Sequence, residues 1–161
     1  MENLSDLLSL HRDLDEIFFR HQSALLRFDF AKALALLNEY ESALATHIED
    51  EERVLLPFYS EHAQEIRGGN AQLFFDEHAK MRSFVDLFKK AVAELENNPK
   101  PEADLILLLD REAFFKRLCS HHDKRETEIL YPELDRIATQ AQKIELLQNV
   151  TCAFPKAKGT W

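Results

Sequence analysis

Glycine is almost missing from this chain of 161 residues: there are three, two of them adjacent at Gly68-Gly69. With glycine so scarce and Leu, Ala, Glu and Lys plentiful, the composition favours an all-helical fold. Cysteine is also scarce. Cys119 and Cys152 lie far apart, which excludes a disulfide framework and a Cys-x-x-Cys pair. A reducing cytoplasm is the simplest setting for such a chain. No apolar run approaches the roughly 18–20 residues of a membrane span. The start, Met1-Glu2-Asn3-Leu4-Ser5-Asp6, lacks a basic region ahead of an apolar one, so no signal peptide is expected. No run of Lys or Arg forms a basic stripe, and the formal net charge is −9. Nucleic acid is therefore not an expected partner.

Hydrophobic residues make up 45% of the chain, enough at this length for one domain with a sizeable core. That domain is expected over residues 1–150, with a tail at 151–161. The first helix should begin after Ser5 or Asp6, either a good N-cap, and end near Arg27 to Asp29. The second runs from about Phe30 to Ile66, kinked or brought near its end by Pro57, with Gly68-Gly69-Asn70 as C-cap and turn. The third spans about Ala71 to Glu96, and Asn97-Asn98-Pro99-Lys100-Pro101 closes it. The fourth spans about Ala103 to Ile137, with a short amphipathic helix at about Thr139 to Val150. Four long helices with short connections predict an up-down-up-down four-helix bundle with a short extra C-terminal helix.

One pattern occurs twice. His47-Ile48-Glu49-Asp50-Glu51 leads to Val54-Leu55-Leu56-Pro57, and His122-Asp123-Lys124-Arg125-Glu126 leads to Ile129-Leu130-Tyr131-Pro132. The offset is constant, since 122 − 47, 126 − 51 and 132 − 57 all equal 75. Residues four apart share a helix face, so each His points the same way as its Glu. A single His-x-x-x-Glu is an ordinary salt-bridge spacing. Two copies with the same apolar-Pro ending indicate two halves contributing to one centre. The other two long helices each offer one histidine on the apolar face, His11 and His78.

Four imidazoles supply two ligands to each of two metals, and Glu51 and Glu126 can bridge both. An oxo or hydroxo bridge would bring each metal to five ligands and leave a position open for a small molecule. Imidazole with carboxylate suits iron, and also manganese or zinc. Without thiolates, a closed structural zinc site is the poorer fit. Burying six such groups with no cation would be costly.

In these residues the chain resembles the hemerythrin-like proteins, also called the HHE cation-binding domain family. His11, His47, Glu51, His78, His122 and Glu126 match that family's ligand pattern in order, as do the Leu-Leu-Pro and Leu-Tyr-Pro endings. The resemblance covers roughly residues 5–137. It implies a four-helix bundle holding a non-haem di-iron centre that binds dioxygen, or responds to oxygen, nitric oxide or iron supply. One related group repairs iron–sulfur centres. The chain departs from the oxygen carriers at Arg82, where their third helix has a second histidine. Arg82 either points away from the site or adds a cation beside the open position. Those carriers also end the last motif in Asp five residues after the His. Here Glu126 is five from His121 and four from His122, so His121 is an alternative ligand.

Other residues have plainer readings. Asp15 lies one turn from His11 and is either an acceptor for its ring or exposed. His21 and His62 fall too far along their helices for the centre and read as structural or surface residues. Glu49, Asp50, Glu52, Asp123, Glu128 and Glu133 read mostly as a solvated face. Phe18, Phe74, Phe75, Phe114 and Phe115 read as core and as a dry shell around the metals. Cys119 reads as a packed thiol. Tyr59 and Tyr131 have no assigned place. The leading expectation is a protein that binds or senses a small diatomic ligand, with no acid–base set beyond the ligands. The alternatives are an enzyme-like role in iron–sulfur repair or small-molecule redox, and a metal-free interaction bundle.

Overall fold

The computed structural model describes residues 3–64 and 66–151. Among them every regular element is helical: α1 Ser9–Leu26, α2 Phe30–Asp50, α3 Leu56–His62, α4 Ala71–Glu96, α5 Glu102–Arg125, α6 Tyr131–Ile137 and α7 Gln140–Asn149. A 3₁₀ turn, Leu4–Leu8, leads into α1, so Ser5 and Asp6 lie inside the opening turn rather than capping it. Asp29, Asn70 and Thr139 accept the backbone N–H of Lys32, Gln72 and Gln142 at 3.1, 2.8 and 3.2 Å, which sets the starts of α2, α4 and α7. No helix of the described residues is long and apolar enough to cross a membrane. The expected tail lies outside the described residues save for Thr151.

The second helix stops earlier than its periodicity suggests. It ends at His62, not Ile66, and Ala63 is already extended. Gly68 takes a left-handed turn at φ 78°, and Gly69 is where two segments press together. The Tyr59 hydroxyl donates to the Gly69 carbonyl at 2.5 Å, and a Cβ on Gly69 would lie 2.7 Å from that oxygen.

Both prolines act more locally than a kink. Directly before each, the backbone widens into a π-helical turn, Glu51–Leu55 and Glu126–Leu130. Leu56 N–H donates to Glu51 O, and Tyr131 N–H to Glu126 O, five residues back instead of four. Pro57 and Pro132 have no N–H for the ordinary ladder and sit in the first turns of α3 and α6, where none is needed. Such single widened turns are frequent at functional sites.

Helix α1 packs on α2, α2 on α4, α4 on α5, and α5 reaches back to α1. The core falls into two apolar clusters. One holds Leu14, Phe18, Leu44, Ile48, Met81, Phe88 and Phe115. The other holds Leu4, Leu7, Leu55, Phe74, Leu130, Tyr131 and Leu147. From the 3₁₀ turn into α1 the order is Leu7, His11, Leu14; along α4 it is Phe74, His78, Met81. The candidate ligands thus form a polar layer between two dry ones. The far end is closed by Asp135, which accepts Leu4 N–H at 2.7 Å, and by Asp50, which accepts Thr151 N–H at 2.9 Å. Asp50 is therefore buried rather than solvated. Phe114 and Phe75 also differ from expectation: Phe114 is exposed and Phe75 half-buried, so neither is full core.

His21 is structural, as expected, and wholly buried. Its Nδ1–H donates to the Ala33 carbonyl at 2.8 Å, and its Nε2 faces Glu112 Oε2 at 2.7 Å. Gln22 donates to the other Glu112 oxygen at 3.1 Å. This buried pair ties α1, α2 and α5 together. Removing one partner strands the other, so Glu112→Ala should cost roughly 3–5 kcal/mol. Replacing both His21 and Glu112 by Leu should cost clearly less. Denaturant melts of the two variants check this, and equal losses would contradict a paired clamp.

Candidate metal centre

The π-helical turns begin at the two glutamates that matter most. Glu51 and Glu126 are fully buried, and each turns one oxygen toward each of two histidine pairs. On one side, His47 Nε2 lies 2.7 Å from Glu51 Oε1, and His11 Nε2 lies 2.8 Å from Glu126 Oε2. On the other, His78 Nε2 lies 3.1 Å from Glu51 Oε2, and His122 Nε2 meets Glu126 Oε1. Two groups result, His11-His47-Glu51-Glu126 and Glu51-His78-His122-Glu126, each with its ligand atoms within 4.8 Å of one another. All six residues singled out in the sequence converge here. His121 is exposed, so the alternative resolves to His122.

Close approach is not the same as hydrogen bonding. Glu51 Oε2, His78 Nε2, His122 Nε2 and Glu126 Oε1 are buried without a hydrogen-bond partner, as is His47 Nε2. Their distances are short, but the ring N–H directions miss the neighbouring oxygens. Those four atoms are the whole donor set of the second group. Donors that converge on a shared point while missing one another fit a cation between them, since unpaired buried polar atoms are otherwise costly. Two imidazoles and two carboxylate oxygens in each group could hold a metal ion.

Behind the ligands stand three carboxylates: Glu52 and Asp123, which the sequence reading put on a solvated face, and Glu77, to which it gave no role. His78 Nδ1–H donates to Glu52 Oε1 at 3.1 Å, and Arg82 Nη2 reaches the same oxygen at 3.4 Å. His122 Nδ1 lies 3.6 Å from Glu77 Oε1, to which Arg125 Nε donates at 3.1 Å. His11 Nδ1 lies 3.7 Å from Asp123 Oδ1. Arg82 thus points away from the ligand layer and holds the carboxylate that holds His78. Asp15 is exposed, and Asp123 is the carboxylate that faces the His11 ring. Glu52 thus fixes the tautomer of the His78 ring, while Glu77 and Asp123 face the other two rings from beyond hydrogen-bonding distance.

Tyr131 was without an assignment, and the structure brings it to the centre: its hydroxyl donates to Glu51 Oε1 at 3.1 Å. In an α-helix, residue i+5 lies about 140° round from residue i, so Tyr131 would not share a face with Glu126. The wider turn moves it inward. Tyr59 is instead engaged with Gly69, and His62 bonds the Phe58 carbonyl, away from the ligands.

The electrostatics describe what a cation must displace. Burial alone would push His122 down, but the charge and close approach of Glu126, with Glu77 behind, raise it from 6.5 to about 10. Burial opposes and the carboxylates outweigh it in the same way at His11, His47 and His78, all raised. Burial would raise Glu126, yet His122, His11 and His47 hold it well below the usual carboxylate range. Protons on the imidazoles therefore stand in for metal charge, and metal uptake releases them.

Comparison with protein-family models, curated proteins and solved structures finds no match to this chain.

Two outcomes follow from the geometry. A group raised on folding stabilises fully below its unfolded value and loses that contribution as pH rises through its folded one. Metal-free protein should therefore lose stability between about pH 6.5 and about 10. Metal-loaded protein should instead gain stability as pH rises through 6.5, because its imidazoles are already deprotonated. Thermal melts across pH, with and without metal, should give opposite slopes; parallel curves would refute the exchange of protons for metal. Separately, Glu52→Gln or Glu77→Gln should weaken metal affinity about 10–100-fold while the helical circular dichroism stays unchanged.

Proposed function

We propose that this chain is a hemerythrin-like four-helix bundle that holds two carboxylate-bridged non-haem iron ions and binds or senses a small ligand such as dioxygen or nitric oxide in the cytoplasm. One observation carries the reading: two histidine pairs share the same two buried carboxylates, and each carboxylate turns one oxygen to each pair. A lone metal would need one such group; the arrangement supplies two that have Glu51 and Glu126 in common. Iron there would supply exchangeable coordination and one-electron chemistry, with manganese or zinc as other ions the donor set accepts.

The chain's own residues do the rest. His11, His47, His78 and His122 would hold the ions, and Glu51 and Glu126 would bridge them. Glu52, Glu77 and Asp123 orient three of the rings. The two apolar clusters keep bulk water from both sides of the layer. A binding role asks for a reachable position and no acid–base set. The Tyr131 hydroxyl is in contact with a proposed ligand, and it is occupied with Glu51.

The deciding experiment is metal content of the purified chain, with absorption spectra in air, after reduction and after adding nitric oxide. About two irons per chain, with near-ultraviolet bands that respond to both treatments, are expected. Glu51→Ala and Glu126→Ala should each lose the pair, while exposed Glu49→Ala should keep it. Equal metal content in all three variants would sink the ligand set. A chain that takes up no ferrous iron, and melts at the same temperature with and without metal, would be a metal-free scaffold instead.

A further inference from the structure

The ligand layer is sealed unevenly. Glu51, His78 and Glu126 are fully buried and His122 nearly so, whereas the His11 side chain is the most exposed of the six, at 11%. Beside it, α1 and α5 are separated by a cavity of about 380 Å³, with Tyr40 of α2 also on its wall. Phe18, Phe115 and Tyr40 make aromatic walls, their rings 5.1–6.1 Å apart. Asp123 lines this cleft and also faces His11 Nδ1, so a single side chain joins the cavity to the ligand layer. Two carboxylates, Asp15 and Asp123, stand at the cleft against one cation, Lys116, whose ammonium is turned to Gln22 at 3.2 Å.

We propose that the cleft between α1 and α5 is the access path to the centre and its charge filter, admitting small neutral molecules and turning away small anions. This rests on the metal reading above and adds the route and the selectivity. The aromatic walls present little to bond a polar solute. A low-dielectric passage lined by net negative charge repels anions more strongly than open solvent would, while a neutral diatomic feels almost none of that field. The other cavity near the layer, about 440 Å³ between α2 and α4, makes a poorer route. It ends on Glu52, which is held by Arg82 and bonded to His78, itself fully buried. At 380 Å³ the cleft is larger than a diatomic needs, so it serves as an antechamber rather than a tight binding pocket.

The test uses the iron-loaded full chain and stopped-flow association of two probes, nitric oxide and azide. Cys119→Phe fills the cleft from α5, and Ser120→Trp does so from an exposed position that should not disturb folding. Ala45→Trp fills the α2–α4 cavity as the control. The two cleft variants should slow both probes about fivefold or more with iron content unchanged, and the control should slow neither. Asp15→Lys should speed azide roughly tenfold at low salt, fading at high salt, and leave nitric oxide within about twofold. Should Cys119→Phe lose iron, Ser120→Trp decides. Parent-like rates in the cleft variants, or slowing only in Ala45→Trp, would overturn the path. Azide indifferent to Asp15→Lys would overturn the filter. A parent chain that takes up no iron overturns the metal reading and this inference with it, so the two failures are told apart by iron content.

Discussion

Two carboxylates with no access to water face each other across the middle of the molecule. Glu51 and Glu126 would repel at that depth, and neither can neutralise the other. Every nearby feature answers this problem. Four imidazoles crowd round the pair, one from α1, one from α2, one from α4 and one from α5. Three of those imidazoles have a further carboxylate at the opposite ring nitrogen, and two of those carboxylates have an arginine behind them. Charge therefore alternates outward, from acid to imidazole to acid to guanidinium, until it reaches solvent. A buried polar network of this size is tolerable only when nearly every member is satisfied. Save for His122 Nδ1, which faces Glu77, the buried unpartnered side-chain atoms among the described residues lie at the innermost points, where a cation would sit.

The layering explains how so polar a centre survives in a chain held together by apolar burial. Each helix changes character twice, from apolar to ligand and back to apolar, within about two turns. Water is excluded from both sides, so the electrostatic attraction within the layer is little screened. The widened turns before Pro57 and Pro132 belong to the same design. They alter which residues share a face just past Glu51 and Glu126, and they bring Tyr131 to bear on Glu51.

Much of this was legible in the residues themselves. The duplicated His-x-x-x-Glu pattern located both shared buried acids, and helical periodicity placed His11 and His78 beside them. Those inferences needed only an ordinary α-helix. What escaped needed more. Tyr131 escaped because its position depends on a π-helical turn that periodicity does not encode. Glu52, Glu77 and Asp123 escaped because each serves a histidine on another helix, and a sequence shows no cross-helix neighbours. Arg82 sits at the spacing of a ligand yet turns outward to Glu52. Asp15 was open between an acceptor for His11 and an exposed residue; it is exposed, and Asp123 of α5 faces the His11 ring. Helix ends at His62 and Leu8 shifted for the usual reason, local caps and tertiary packing overriding composition.

The sharing of Glu126 between both ligand groups has a consequence for how the chain matures. Glu126 follows every other proposed ligand in the sequence, and each group is incomplete without it. The first 125 residues carry α1, α2, α4 and α5 and five of the six candidate ligands, yet without Glu126 they complete neither group. On the metal reading proposed above, neither half of the centre would then be complete before the turn that follows α5 is in place.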